Sequence, residues 1–250
     1  MIIIKTDEEI EKMRRAGIKL ARLLDDLLPD IIKEGVDGET VEKYVLEYFR
    51  KENATPTFKG YLGYKYAINF SVNEEVVHGF PLKSKILKNG DIVSVDCGLT
   101  YEGYIADAAR TYIIGYVSKR EQELVEATRE SLYLGIEKAV IGNTIGDIGS
   151  TIQYYIENKG FSVIREYVGH GVGRKLHEDP QIPNYGKPGR GPKIRKNMTL
   201  AIEPMVAMGN YEVQILPDGW TAITKDRSKA AHFEHTIAIT SNGPEILTKL

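Results

Sequence analysis

The sequence predicts an α+β protein assembled from two related halves, and three observations carry that prediction. An apolar helical stripe, Gly35, Val41, Val45, Tyr48 and Phe49, recurs as Gly142, Ile148, Ile152, Tyr155 and Ile156, each pair 107 positions apart. The same shift carries the strand-like run Lys88 to Asp96 onto Arg195 to Glu203, and both runs end in an acid. Strand-like runs lie between and after four helical segments, as a mixed fold requires. At 250 residues the chain is expected to form a single domain, 1–250, with halves of approximately 1–115 and 116–250. Asp96 and Glu203 are then expected to face each other across a pseudo-twofold axis.

Each element has a local reason. Thr6 can cap a helix over Thr6 to Leu28, with Glu9 completing a capping box, and Ile10, Met13, Gly17, Leu20 and Leu24 recur at helical spacing. Pro29 either closes that run or begins a new turn. After the glycines at 35 and 38, Val41, Val45, Tyr48 and Phe49 predict a helix from about Glu39 to Lys51. Two more helices are expected over Lys119 to Val140 and Ile145 to Lys159. Strands are expected at Tyr66 to Ser71, Ile92 to Leu99, Ala109 to Gly115, Thr199 to Val206 and His235 to Thr240.

Composition excludes several functions. Lys and Arg total 33 against 35 Asp and Glu, a formal charge of -2 that gives no signal for nucleic acid or an anionic membrane. No apolar run approaches the roughly 20 residues that span a bilayer, and the start, Met1-Ile2-Ile3-Ile4-Lys5, is too short for a secretory signal. A cytoplasmic protein is expected. The one cysteine, Cys97, rules out an internal disulfide and fits a reducing compartment. Beside Asp96 it could be a nucleophile, but alternation sets Ile92, Ser94 and Asp96 on one side of a strand and Val93, Val95 and Cys97 on the other, which favours a core thiol.

Candidate ligands begin with acids that end apolar strands, in Val95-Asp96 and Ile202-Glu203. Ionised groups entering a sheet core require pairing or a metal, although an acid there is often only a turn residue. His170 sits in Gly169-His170-Gly171-Val172-Gly173, whose glycines permit close backbone approach to a ligand. No Gly-Lys-Ser/Thr follows, so a phosphate loop is disfavoured. His177-Glu178-Asp179-Pro180 is not a zinc-binding His-Glu-x-x-His helix, and its proline favours a loop.

Asp96 and Asp107, eleven positions apart, then His170, Glu203 in Ile202-Glu203-Pro204-Met205-Val206 and Glu234 in Phe233-Glu234-His235-Thr236 resemble the five metal ligands of the methionine aminopeptidases. Ser71-Val72-Asn73-Glu74-Glu75-Val76-Val77-His78-Gly79, the glycine-rich His170 segment, and Pro180-Gln181-Ile182-Pro183-Asn184-Tyr185 extend the resemblance over nearly the whole chain. It implies type I of that group within the M24 metallopeptidases, because only 31 positions separate Glu203 from Glu234 and no amino-terminal extension precedes the catalytic region. The implied fold is the pita-bread fold, two pseudo-symmetric halves around a curved antiparallel sheet, forming one catalytic domain. Four carboxylates neutralise two divalent cations, and oxygen-rich ligation with one imidazole favours Co, Mn, Fe or Zn.

The implied activity is removal of the N-terminal methionine from peptides and nascent chains, favouring a small second residue, by attack of a metal-bridging hydroxide. By similarity Asp107 and Glu234 bridge the metals, Asp96 chelates one, and His170 with Glu203 completes the other. Glu203 relays a proton, while His78 and His177 contact the scissile peptide. Tyr61, Tyr64 and Trp220 would wall the methionine pocket, as aromatic surfaces suit a thioether; Trp220 reads equally well as a core aromatic. Phe58, Asn69 and Leu176 depart from residues common in relatives and bear on the shape of that pocket. The resemblance also allows association with the ribosome and points to a monomer. Ile2 should leave the protein's own Met1 in place. The rival readings are an Xaa-Pro aminopeptidase or prolidase-like enzyme and a non-catalytic pita-bread binding protein.

Overall fold

In the computed structural model, which describes residues 1–250, Thr6 caps the first helix as its pattern requires. Its hydroxyl accepts from the Glu9 amide at 3.2 Å and its own amide donates to the Glu9 carboxylate at 2.7 Å. Helix α1, Asp7–Ala21, continues through a π-helical turn, Arg22–Leu27, into a short α2, Leu28–Ile31. Pro29 stands in the first turn of α2, where its missing N–H is harmless, so it begins a turn and does not end the run. The remaining helices, α3 at Gly38–Lys51, α4 at Lys119–Glu137 and α5 at Ile145–Asn158, stand where the periodicity put them.

The strands in chain order are β1 Thr55–Pro56, β2 Ile68–Val72, β3 Glu75–Val77, β4 Ile92–Tyr101, β5 Tyr104–Ile113, β6 Ser162–Val163, β7 Gly169–Gly171 and β8 Glu178–Ile182. They are followed by β9 Thr199–Ile202, β10 Met205–Ala207, β11 Val213–Ile215, β12 Ala222–Thr224, β13 Ala230–His232, β14 His235–Thr240 and β15 Gly243–Ile246. The pairings between them are antiparallel.

The 107-residue repeat is written into the backbone. Helices α3 and α5 start and stop in register with it. The isolated bridge Asp37 to Ile86 recurs as Thr144 to Lys193, and the bond from the Gly35 amide to the Leu87 carbonyl recurs from Gly142 to Ile194. The pair Pro56–Leu99 recurs as Val163–Val206, and Gly98–Asp107 as Met205–His232, the second partner lying 125 positions on because the segment between β10 and β13 is longer than the β4–β5 turn. Thus β9 and β10 together repeat β4, and β13 and β14 together repeat β5.

Three expectations need correction. The run Thr199 to Val206 is two strands, because Glu203 and Pro204 interrupt the ladder and proline has no N–H to give it. The strand expected at Ala109 begins at Tyr104, since Glu102 (φ 51°) and Gly103 (φ 78°) make a two-residue hairpin turn of the mirror-image type that joins β4 directly to β5. The segment after His177 is also not a loop: Pro180 lies in β8, at the edge of its sheet, where no ladder bond is needed from it.

The apolar side chains form a core beneath each half. One gathers Leu20, Leu24, Val45, Phe49, Val95 and Leu99; the other gathers Leu124, Leu132, Ile152, Ile156, Leu200 and Ile237. Cys97 is wholly buried in the first, on the opposite face from Asp96, as alternation predicts. The halves meet where β5 approaches the β13–β14 junction: the Glu234 amide donates to the Ala109 carbonyl at 3.1 Å, and the Asp107 amide to the Thr236 hydroxyl at 2.9 Å.

Gly17 marks the closest approach of α1 to the C-terminal segment; a Cβ there would lie 2.1 Å from the Leu247 carbonyl oxygen. Alanine would gain about 1 kcal/mol of helix propensity, but forcing two backbones apart costs about 1–3 kcal/mol. Gly17→Ala is therefore expected to lower the urea midpoint, and a raised midpoint would contradict this packing.

Candidate metal centre

The eleven-residue spacing of Asp96 and Asp107 follows from the tight turn between β4 and β5. Asp96 pairs with Ala109, and Asp107, paired with Gly98, is its diagonal neighbour on the same face. Both side chains are buried, as is that of Glu234 between β13 and β14. His170 enters from β7 beside Ala201 of β9, and Glu203 lies just past the end of β9.

These five side chains line one cavity of about 240 Å³. Asp107, His170 and Glu234 each place a donor atom within 4.8 Å of the others. Glu203 Oε1 lies 3.4 Å and Asp107 Oδ2 3.9 Å from His170 Nε2. The other ring nitrogen of His170, Nδ1, is 2.9 Å from the Gly171 carbonyl, which can only accept. The proton therefore belongs on Nδ1, leaving the Nε2 lone pair facing the acids.

The acids are poorly compensated. Burial, reinforced by mutual repulsion, holds Asp107, Glu203 and Glu234 well above the usual carboxylate range; burial raises Asp96 to about 7 despite the 2.7 Å bond from Asn69 Nδ2. Arg110 donates to the Glu234 carbonyl at 2.9 Å, but its guanidinium is also engaged by Asp25 and by the Ala109 and Thr248 carbonyls. Asp96 Oδ1, Asp107 Oδ1 and Glu234 Oε1 are buried without a hydrogen-bond partner. Buried oxygens left unpaired around an imidazole lone pair are the donor set that a divalent cation satisfies, so the residues fit a metal.

The sequence-predicted pocket residues surround the same cavity. The Tyr64 hydroxyl is tied to the Ile68 and Gly79 carbonyls at 3.0 and 3.3 Å, and Trp220 packs edge-on against its ring at 5.0 Å. Trp220 is thus a wall of the cavity. Phe58 and Leu176 add apolar surface; Gly98 makes room for Phe58, since a Cβ would lie 2.8 Å from that ring. His78 follows β3 and Trp220 precedes β12, and the pairing of Val77 with Ala222 brings them together. His78 adopts a left-handed φ of 59°, a conformation that costs a non-glycine residue about 1–3 kcal/mol and recurs at working sites. His177 packs edge-on against His170, centroids 4.4 Å apart, and its Nδ1 lies 2.8 Å from the Tyr61 hydroxyl. Burial lowers the pKa of His78 and of His170 to about 4 and depresses that of His177, so all three rings are neutral near pH 7.

The glycines flanking His170 serve the sheet and not a ligand. A Cβ at Gly169 would lie 2.4 Å from the Ala201 carbonyl oxygen, and one at Gly171 2.2 Å from that of Asp179. Sequence reasoning overlooked His232, whose buried Nε2 has no partner and lies 3.7 Å from Glu203 Oε2. Its signal was present: in His232-Phe233-Glu234 a two-residue step puts the histidine on the same face as the acid. It also occupies the position that matches Asp107 in the repeat.

Two repeated α+β halves whose acids and histidines converge on one partly apolar cavity define a metal-dependent hydrolase. Residues 11–241 match the model of metallopeptidase family M24. The chain is 51% identical to a methionine aminopeptidase of Clostridium acetobutylicum over 99% of both chains, and 49% identical to methionine aminopeptidase 1 of Bacillus subtilis over the full length of both. A crystal structure of a methionine aminopeptidase from Thermotoga maritima, 57% identical, superposes with a TM-score of 0.98 over all of both chains. The chain belongs to the methionine aminopeptidases of metallopeptidase family M24.

Cation binding should be visible in the pH dependence of stability. Acids whose folded pKa is raised stabilise the metal-free fold at low pH, and that stability is lost as pH rises through the folded values, about 7 for Asp96. A cation binds the deprotonated set. The Tm difference between Mn²⁺-loaded and chelator-treated protein should therefore widen as pH rises through that range, and calorimetry showing a constant or shrinking difference would refute it.

Proposed function

We propose that the chain releases the N-terminal methionine of peptides and nascent proteins, preferring a small second residue, at a site where Asp96, Asp107, His170, Glu203 and Glu234 hold two divalent cations. The observation that carries this reading is that one cavity joins the acid and imidazole cluster to an aromatic and apolar wall. At about 240 Å³ it falls below the roughly 300–1,000 Å³ of drug-sized pockets, which suits one inserted side chain. Tyr61, Tyr64 and Trp220 with Phe58 and Leu176 receive the methionine, where a flexible thioether gains contact with ring edges.

Bound cations supply Lewis-acid activation of water and of the scissile carbonyl. The protein's own groups do the rest. Asn69 holds Asp96 by one oxygen and leaves the other free for the site. Glu203, between His170 and His232, takes the proton released by the attacking water and delivers it to the departing amine. His78 and His177, which both line the cavity, contact the scissile peptide, and Tyr61 orients His177 through Nδ1. Neutral rings can donate to a developing oxyanion without first repelling the incoming α-ammonium group.

Oxygen-rich ligation supports Co, Mn, Fe or Zn as the metal. We place the enzyme in the cytoplasm as a monomer with access to the ribosome; no helix is long and apolar enough to cross a membrane, and the lone thiol is buried.

Metal-loaded protein should release methionine from Met-Ala and Met-Gly peptides, and discriminate against Leu-initiated ones by at least about tenfold, the value of a modest change in pocket fit. Faster cleavage of an Xaa-Pro peptide than of Met-Ala would instead establish the prolidase-like reading. Asp107→Asn is expected to reduce kcat by more than the roughly 10–100-fold typical of residues that only support a metal ligand, with weaker metal loading. Turnover unchanged in that variant would remove Asp107 from the centre.

A further inference from the structure

The segment ahead of α1 reaches the active-site loop through a buried charge. Lys5 and Glu178 form an ion pair in which both side chains are almost wholly buried, 3% and 2% exposed. Glu178 does more than balance Lys5: its Oε1 accepts from the Arg174 amide at 3.0 Å and from the Lys175 amide at 3.2 Å. One carboxylate thus closes the loop Gly173 to His177 on itself. That loop presents Leu176 and His177 to the cavity.

Lys5 is itself anchored. Its amide donates to the Asn197 carbonyl at 3.0 Å, and Asn197 Nδ2 returns a bond to the Lys5 carbonyl at 2.9 Å. Asn197 stands two residues before β9, the strand that leads to Glu203. Gly173 is shaped by the same pair, because a Cβ there would lie 2.5 Å from Lys5 Cε and 2.8 Å from Glu178 Oε1. One residue further on, Asp179 pairs with the Met1 ammonium group, a second tie between the N-terminal segment and β8.

We propose that Lys5 is a positioning residue for the reaction: by neutralising Glu178 it lets that carboxylate hold the Gly173–His177 loop closed, and so fixes His177 against Tyr61 and His170. Removing the lysine leaves a buried carboxylate without its counter-charge, and such a group moves toward water or takes up a proton. Either response loosens the two amide bonds that close the loop. The N-terminal segment, remote in sequence from every acid in the centre, therefore controls the placement of a substrate-contacting imidazole.

The catalytic half of this proposal rests on the methionine aminopeptidase reading, whereas the positional half does not, so the test has two arms. In metal-loaded Lys5→Met, the imidazole ¹⁵N resonances of His177 should shift or broaden as the Tyr61 bond weakens. In the same protein kcat should fall roughly 10-fold to 100-fold, the scale of a misplaced contact group, with KM for Met-Ala-Ser within about threefold. Affinity for Mn²⁺ by calorimetry should stay unchanged. The double variant Lys5→Met, Glu178→Gln keeps an amide oxygen to close the loop and strands no charge, so it should recover most of the lost kcat and the wild-type resonances. Folded Lys5→Met with unaltered His177 resonances and full kcat, even at a lower Tm, would overturn the proposal. So would a loss confined to Mn²⁺ affinity. A wild type that releases no methionine would sink the proposed function and leave the resonance arm standing.

Discussion

The rest of the structure depends on four carboxylates brought together on the wall of one largely buried cavity. Asp96, Asp107, Glu203 and Glu234 are pushed above their ordinary pKa range first by burial and then by one another. Arg110, whose charge bears on Glu234, spends its donors on backbone carbonyls and on Asp25. Such a cluster is tolerated only with protons or cations to balance it. The fold is arranged to keep it rigid in spite of that, through the Thr236 hydroxyl on Asp107, the Asn69 amide on Asp96, and Arg110 on the carbonyl of Glu234.

Duplication explains how the cluster arises. Each half contributes a long antiparallel strand pair, and Asp96 and Glu203 stand at corresponding positions in it. The symmetry then fails where chemistry needs it to fail. Asp107 corresponds to His232 and Glu234 to Ala109, so the two halves offer different donors, and Pro204 breaks the second pair where the first is continuous. Arg110 and His235, again at corresponding positions, both reach Thr248 and fasten the chain's end across the seam.

Much of this was legible in the sequence. The repeat, the helices and the face of Cys97 follow from periodicity, because amphipathic patterns survive duplication. Asp96 and Glu203 were visible as charges ending apolar runs, whereas Asp107 and Glu234 came only from the family resemblance. What escaped notice has specific causes. The split at Pro204 and the early start of β5 depend on single residues in turns, which apolar patterning does not register. The glycines around His170 read as room for a ligand, while the structure shows that they admit the backbones of Ala201 and Asp179. His232 was missed in spite of its two-residue step from Glu234 because no strand was expected before His235, and Lys5 because its partner Glu178 lies far along the chain.

The central claim is that the charge buried at the seam is matched by divalent cations held between the two halves. Anomalous diffraction at the manganese edge, on crystals grown with Mn²⁺, tests it most directly. The account predicts anomalous density bounded by Asp107, Glu234, His170, Asp96 and Glu203. Density elsewhere on the protein with none among those five side chains would contradict it.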